Sequence, residues 1–228
     1  MSLSGVDLGR VLAVSPHLDD AVLSAGALIA LYPGSVVLTV FAGKPRRYDG
    51  LSEWDAESGF VEGDDVVELR RAEDQRATAQ LGAQSHWLDF IDDQYESARP
   101  NADDIAAAIR TELKTLDLDT IALPLGCGHD DHARTHEACA LLLETDFYIV
   151  RHWIAWADIP YRRRHPQMYA DRIDSLRGKG FQLAEFAIEP SEQKRLAIAE
   201  YPTQVRALGV ENIADAERAE QLYTITRP

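Results

Sequence analysis

Two short segments of the chain place histidines and aspartates at spacings that suit a metal site. Within them, His17 and Asp20 stand three positions apart, as do His129 and His132. The segments are SPHLDD (residues 15–20) and GCGHDDH (residues 126–132). Catalytic zinc takes three protein ligands from His, Asp, Glu or Cys and keeps one position open for water. The two segments therefore supply enough donors for one catalytic zinc ion.

Further carboxylates beside these donors suit the other needs of hydrolysis. Asp19 precedes Asp20, and Asp130 and Asp131 precede His132. A metal-dependent hydrolase needs a base that takes a proton from water, and a group that stabilises the oxyanion or protonates the leaving group. The residue types thus predict a metal-dependent hydrolase.

Each segment alone also has a structural explanation. Asp19 and Asp20 stand where a helix is expected to begin, and acids are common there because they cap free amides and interact with the helix dipole. His132, and His136 one turn later, could be ordinary helix residues. The metal hypothesis rests on the two segments together, which hold three of the seven histidines.

Both segments follow apolar runs that have the pattern of buried strands. Residues 10–14 (RVLAV) precede the first segment, and residues 120–124 (TIALP) precede the second. Helical patterns follow at residues 20–31 and 132–144. Because the carboxyl ends of parallel strands lie at one edge of a sheet, the two segments are expected to face the same edge.

The rest of the chain continues this alternation of strands and helices. Further strands are predicted at residues 35–41, 85–90, 147–156 and 181–188. Further helices are predicted at residues 64–81, 101–116, 191–208 and 214–223, with Asn101 as a cap and Pro202 bending or ending its helix. Residues 42–63 and 157–165 are predicted to be loops. The pattern predicts an α/β fold, a mostly parallel sheet with helices on both faces, in one domain spanning residues 1–228.

At these positions the sequence resembles the LmbE-like family, also called PIG-L, of zinc-dependent N-deacetylases. Residues 17–20 (HLDD) are similar to the family's His-Pro-Asp-Asp motif, and residues 129–132 (HDDH) to its His-Pro-x-His motif. The similarity continues in order through residues 70–73 (RRAE), 81–82 (LG), 87–92 (WLDFID) and 194–204 (KRLAIAEYPTQ). It covers most of the chain and implies the family's Rossmann-like fold.

The resemblance implies a role for each matching residue. It implies that His17, Asp20 and His132 hold one Zn²⁺ per chain and that Asp19 is the general base. His129 would stabilise the oxyanion or act as the acid.

Three further matching residues would support the reaction. Asp131 would orient His129, and Arg70 and Asp92 would contact substrate. The departures from the family pattern are Leu18 and Asp130, where proline is usual, and Ala21, where glutamate is frequent. None of these changes removes an expected ligand.

The resemblance implies a small N-acylated amino sugar or a glycoconjugate as substrate, from which an acetyl group is removed. The aromatic side chains considered for stacking on a sugar ring are Tyr48, Trp54, Trp87, Tyr95 and Trp153. Trp54, in the long loop, is the best candidate, because Trp87 and Trp153 lie in predicted strands and suit the core.

Two alternative functions stay open at this point. A metal-dependent phosphoesterase would usually hold a second metal ion about 3.5–4 Å from the first, and Asp130 and Asp131 leave room for one. A non-catalytic sugar-binding protein with the same fold is the other alternative, although the base and all three ligands are present. A nucleotide-binding domain is disfavoured, because neither G-x-G-x-x-G after the first strand nor G-x-x-x-x-G-K-[ST] occurs.

The composition excludes several kinds of partner. A formal net charge of -15 repels phosphate backbones and anionic lipids, so nucleic acid is an unsuitable partner. No apolar run approaches the roughly 20 residues of a membrane span, and no secretory signal is recognised, so a cytoplasmic location is expected. With only two cysteines, a disulfide framework is not expected.

Overall fold

The computed structural model describes residues 7–96 and 99–228, in which strands and helices alternate. The strands are β1 (Val11–Ser15), β2 (Val36–Thr39), β3 (Gln84–Trp87), β4 (Thr120–Pro124), β5 (His152–Trp156), β6 (Gln182–Ile188) and β7 (Glu220–Thr226). The helices are α1 (Asp20–Leu31), α2 (Glu53–Ser58), α3 (Val66–Gln80), α4 (Ala102–Leu113), α5 (Asp130–Thr145), α6 (Tyr161–Arg164), α7 (Pro166–Gly178), α8 (Glu192–Ala199), α9 (Pro202–Leu208) and α10 (Val210–Ala216). A 3-10 turn spans Phe147–Ile149.

The strands form one sheet in the order β3-β2-β1-β4-β5-β7-β6. The first five strands in this order are parallel, and β7 pairs antiparallel with both β5 and β6. The predicted α/β fold with a mostly parallel sheet is confirmed. The strand predicted at residues 120–124 coincides with β4, and the helix predicted at residues 20–31 coincides with α1.

Alternate residues of each central strand face two different layers of helices. In β1, Leu12 and Val14 belong to one apolar cluster with residues of α4 and α5, whereas Val11 and Ala13 belong to the other with residues of α1 and α8. All four side chains are fully buried. A strand that is buried on both faces reads as a continuous apolar run, as this one does.

The order of the strands places β1 next to β4 at a topological switch point. From β1 the chain proceeds to β2 and β3 on one side, and then returns to β4 on the other side. In open α/β sheets, ligands bind at such a point, in the crevice beyond the carboxyl ends of the strands. The two histidine-aspartate segments follow β1 and β4, so both lie at this crevice.

A buried ion pair stabilises the helix that follows β1. Ala25 has non-helical backbone angles (φ -138°, ψ 17°), which interrupts α1. The carboxylate of Glu220 accepts hydrogen bonds from the amides of Ala27 and Leu28, at 2.6 and 3.0 Å. Lys194 Nζ donates to the same carboxylate at 2.8 Å, and both charged side chains are fully buried. The Glu220 carboxylate thus provides hydrogen-bond acceptors for two buried amides beside the interruption.

Two of the predicted loops contain helices. Residues 42–63 include α2, because Ser52 caps its first turn by accepting from the amide of Asp55 and Gly59 ends it with φ 94°. Helix α6 lies within residues 157–165. A helix of four to six residues is too short to show an apolar period, so its caps are the only local evidence for it.

Other predicted boundaries are corrected by tertiary contacts. The helix predicted at residues 214–223 is wrong over its second half, since residues 220–226 form β7, which pairs on both edges. The helix predicted at residues 191–208 is divided, because Pro202 starts α9 at a position where its missing N–H costs nothing. The first part of the strand predicted at residues 147–156 is a 3-10 turn.

Candidate active site

The turn after β1 holds His17 in a fixed position. Ser15 Oγ accepts from the amide of Ala21 at 3.0 Å and donates to the carbonyl of His17 at 2.6 Å. The His17 amide donates to Asp20 Oδ2 at 2.8 Å, and the Asp19 amide donates to the His17 carbonyl at 3.0 Å. These bonds direct three polar side chains into the crevice from one turn.

The turn after β4 depends on a glycine that packs closely against helix α5. Gly126 has φ +74°, and a Cβ at this position would lie 2.6 Å from the carbonyl oxygen of His132. His129 is the cap of α5, and its Nδ1 accepts from the amide of Asp131 at 3.2 Å. The close packing holds His132, in the first turn of α5, near the end of β4, the strand that pairs with β1.

His17, Asp20 and His132 converge as the spacing predicts. Each offers one ligand atom, and these atoms lie within 4.8 Å of one another. Nδ1 of His17 and Nε2 of His132 lie 3.4 and 3.1 Å from Asp20 Oδ2. Donor atoms that surround a tetrahedral zinc ion at about 2.0–2.1 Å stand roughly 3.3 Å apart. The donor set fits zinc in both chemistry and spacing.

The other ring nitrogen of each candidate imidazole ligand contacts a buried carboxylate. Nδ1 of His132 lies 2.7 Å from Asp158 Oδ1, and Nε2 of His17 lies 3.2 Å from Asp131 Oδ2. Asp158 is held in turn by the amide of Gly126 at 2.9 Å. Histidines that ligate metals usually donate their second N–H to such a group, which fixes the ring and raises its basicity.

The charges in this cluster also suit a cation. Burial lowers the pKa of His132, but the carboxylates of Asp20 and Asp158 outweigh burial and raise it to about 9. Burial raises the pKa of Asp20, yet contacts with His132 and His17 bring it well below its usual range. Carboxylates that attract a proton to buried imidazoles attract a divalent cation at the same place. The residues present therefore fit the predicted metal.

Asp158 is a residue that the sequence motifs do not indicate. It follows β5, the strand next to β4, and is fully buried. Its position beyond the carboxyl end of a central strand is the one available indication, since functional residues of such sheets collect there.

We predict that Asp158→Asn weakens metal binding about 10–100-fold, because the substitution removes the charge that orients and polarises His132. Competition with a chromophoric chelator measures the affinity. Asp174→Asn, which changes an exposed carboxylate on α7, is the matched control. An affinity of Asp158→Asn within twofold of the unmodified chain would contradict a supporting role for this carboxylate.

Asp19 lies in the pocket beside the three candidate ligands. Its side chain is largely buried. Burial raises the pKa of Asp19 well above its usual value, and the neighbouring charge of Asp20 raises it further. A carboxylate in a pocket beside a metal site can act as a general base, and its protonated form can return the proton as a general acid.

His129 lies next to His17 and its tautomer is fixed by the backbone. Their rings are 5.0 Å apart between centroids. Because Nδ1 of His129 accepts from the amide of Asp131, the proton of the neutral ring is assigned to Nε2. Burial lowers the pKa of His129, and the charge of His17 lowers it further. His129 thus presents an N–H donor from a neutral ring.

Asp131 lies beside both histidines, and its predicted role of orienting His129 stays a prediction. It is the amide of Asp131 that contacts His129, whereas the carboxylate contacts His17 and accepts from the amide of Asp93 at 3.1 Å. Asp131 therefore contacts His129 through its backbone amide and His17 through its carboxylate.

Arg70 and Asp92 line the pocket, but protein contacts occupy much of their polar surface. Arg70 Nη2 lies 2.9 Å from Asp55 Oδ1, and its Nη1 donates to Tyr95 Oη at 3.3 Å. The carboxylate of Asp92 accepts from the amide and from Nε2 of Gln94, at 3.0 and 2.8 Å. Both residues stabilise the pocket wall, and their contact with substrate stays a prediction.

Another histidine of α5, His136, is buried below the site. Its Nδ1 lies 2.9 Å from the carbonyl oxygen of Pro124, to which it donates. Burial lowers its pKa to about 4. Since the unfolded value is about 6.5, the folded protein disfavours the protonated form. The stability that this neutral histidine contributes is complete above about pH 6.5 and is lost as the pH falls towards 4.

We predict that this loss disappears in His136→Asn, whose amide can donate to Pro124 without titrating. Between pH 7 and pH 5, the free energy of unfolding should fall by about 2 kcal/mol more in the unmodified chain than in the variant. Urea denaturation at a series of pH values measures this difference. Parallel pH profiles of the two proteins would show that His136 has the same pKa in the folded and unfolded states, which would contradict the lowered pKa of the buried ring.

The candidate site opens into a pocket of about 240 Å³ whose lining includes His17, Asp19, His129 and His132. Aromatic and aliphatic side chains surround these polar groups, among them Trp54 and Tyr161. Apolar side chains beside convergent polar groups are typical of small-molecule sites. Across the described residues, no helix has both the length and the apolar composition that a membrane crossing needs.

Comparisons with known proteins place the fold among solved deacetylase structures. Two solved structures are each 26% identical to the chain at a TM-score of 0.76: a triple mutant of a deacetylase of the teicoplanin biosynthetic pathway, and the A40926 pseudoaglycone deacetylase Dbv21. The first match covers 96% of this chain and 98% of the other, and the second covers 97% and 98%. The zinc-inhibited form of teicoplanin deacetylase Orf2 shares the fold at 24% identity and a TM-score of 0.75, over 96% and 98% of the two chains.

A family model supplies the assignment. Among curated proteins, none matches the chain. Residues 12–143, which include β4, both histidine-aspartate segments and all of β1 but its first residue, match the model of PIG-L, described as GlcNAc-PI de-N-acetylase. The chain belongs to the PIG-L family.

Proposed function

We propose that the protein is a zinc-dependent N-deacetylase that removes the acetyl group from an amino sugar or its glycoconjugate. The observation that supports this most directly is the convergence of His17, Asp20 and His132 beside Asp19 at one pocket. The family is described as a de-N-acetylase, and the two relatives at 26% identity are a deacetylase of the teicoplanin biosynthetic pathway and the A40926 pseudoaglycone deacetylase. A further relative has a zinc-inhibited form, which is consistent with a site that binds zinc.

In the proposed reaction the metal is held by His17, Asp20 and His132. When bound, zinc supplies Lewis acidity, which lowers the pKa of water towards roughly 7 and polarises a carbonyl oxygen. Asp131 and Asp158 hold the two imidazoles in the orientation that presents one nitrogen to the ion. The donor geometry is thus prepared before substrate enters.

Asp19 and His129 are proposed to handle the proton and the developing charge. The carboxylate of Asp19 takes a proton from the attacking water, and its raised pKa allows it to return this proton to the amine as the C–N bond breaks. The Nε2–H of His129 donates to the oxygen of the acyl group as negative charge collects on it. The products are acetate and the free amine.

An acetate-release assay tests this proposal. The zinc-loaded protein is incubated with N-acetylated sugars, with acyclic N-acetyl amines and with p-nitrophenyl phosphate. We expect acetate from the sugars, loss of this activity with a chelator, and recovery with one equivalent of zinc. Phosphate release with two bound metal ions would favour a phosphoesterase, and sugar binding without any turnover would favour a non-catalytic protein.

A further inference from the structure

One wall of the pocket is formed by side chains from α2 and α9. Trp54 on α2 is half-buried, and Gln204 and Leu208 stand on α9. Nε1 of Trp54 donates to Oε1 of Gln204 at 3.3 Å, so the two helices are connected across the pocket lining. Neither helix contributes a candidate ligand or base. This wall is called the Trp54–Gln204 wall below.

Helix α3 holds both components of the wall in place. Arg70 on α3 forms a buried ion pair with Asp55, the residue after Trp54. One turn later on the same helix, Glu73 accepts from Thr203 Oγ1 at 2.6 Å, next to Gln204. Because one rigid helix anchors both neighbours, the indole and the amide are positioned before any ligand binds.

The hydrogen bond within the wall determines what each group can offer to a ligand. It uses the indole N–H of Trp54, so the apolar ring is left for contact with a ligand. It also uses Oε1 of Gln204, so its Nε2 is the free end of the amide, with two N–H donors. Among the described residues, this Nε2 has no protein hydrogen-bond partner. An apolar face beside an amide donor suits a ring that has carbon faces and hydroxyl oxygens.

The charges around the pocket indicate that this ring is neutral. Among the residues described as lining the pocket, Arg70 is the one Lys or Arg side chain. Its guanidinium is paired with Asp55 and is therefore not available to balance a phosphate or carboxylate of a ligand. Asp92 adds negative charge to the same lining, whereas the carboxylate of Asp93 is paired with Arg99. An anionic sugar would meet repulsion here.

We propose that the Trp54–Gln204 wall is the subsite that selects an uncharged pyranose ring, with the indole packing on a carbon face of the sugar and Gln204 Nε2 donating to a ring hydroxyl. This inference rests on the proposed function, since it names the part of the substrate that lies beyond the N-acetyl group. It assigns selectivity to residues outside the reacting centre.

The test compares two probes that differ in their hydroxyl groups. Methyl N-acetylglucosaminide and the hydroxyl-free N-cyclohexylacetamide are titrated into the zinc-loaded Asp19→Asn protein, and calorimetry gives each Kd. Trp54→Leu is expected to weaken both probes roughly tenfold or more, because both rings pack on the indole. Gln204→Leu is expected to weaken only the sugar, because only the sugar accepts its hydrogen bond.

Glu57→Gln, on an exposed position of α2, is the matched control and should leave both Kd values unchanged. Equal weakening of both probes by Gln204→Leu would indicate a merely structural effect and would overturn the proposal, as would unchanged sugar binding in both wall variants. The expected binding pattern without acetate release from any sugar would leave the subsite supported and reject the deacetylase. Acetate release with unchanged sugar affinity in both variants would support the deacetylase and reject the subsite.

Discussion

Replacing Asp19 with asparagine is expected to lower kcat by roughly 10²–10⁴-fold while the metal content stays the same. The amide is isosteric but cannot take a proton from water. Asp19 is not one of the three clustered ligand residues, so the ion should remain bound. Steady-state acetate release and metal analysis of the same samples measure the two quantities together.

The matched control for this prediction is Asp130→Asn, which makes the same chemical change at an exposed position near the site. It should retain near-normal turnover. If Asp19→Asn also kept turnover within threefold of the unmodified chain, the proton would have another acceptor. Loss of metal from Asp19→Asn would instead show that this carboxylate is a ligand.

The second large effect is expected for His132→Gln, which should lose metal and activity together. His132 is 1% exposed and contacts both Asp20 and Asp158, so no water can easily take its place as a donor. The affinity loss should exceed the roughly 10–100-fold expected for its carboxylate partner. Metal content after dialysis measures this loss.

His136→Asn provides the control, because it changes the same residue type one turn later on the same helix. It should keep its metal. A His132→Gln protein that retained one tightly bound zinc ion would remove His132 from the ligand set and would favour a site built from other side chains, such as the grouped His17, His129 and Asp131.

The main features of the fold and site could be predicted because local sequence determines them strongly. The strand before His17 and the strand before His129 are short, mostly apolar and followed by a turn, so their element type was clear. Parallel strands also present their carboxyl ends to one edge. What the sequence did not show is that β1 and β4 are neighbours, which depends on the path of the whole sheet.

The missed features depend on contacts between distant parts of the chain. Asp158 is an isolated acid in the sequence, and only the pairing of β4 with β5 brings it to His132. Part of β7 was predicted to be helical from the local sequence. It is a strand because its pairing with β5 and β6 outweighs this weak local preference. Trp54 was a candidate for sugar contact, but its partner Gln204 lies 150 positions away.

The most direct measurement is the position of the metal in a crystal of the zinc-loaded protein, located by anomalous diffraction at the zinc edge. We expect one strong peak about 2.0–2.2 Å from Nδ1 of His17, a carboxylate oxygen of Asp20 and Nε2 of His132. A peak elsewhere, or zinc bound without these three side chains, would contradict the proposed metal centre.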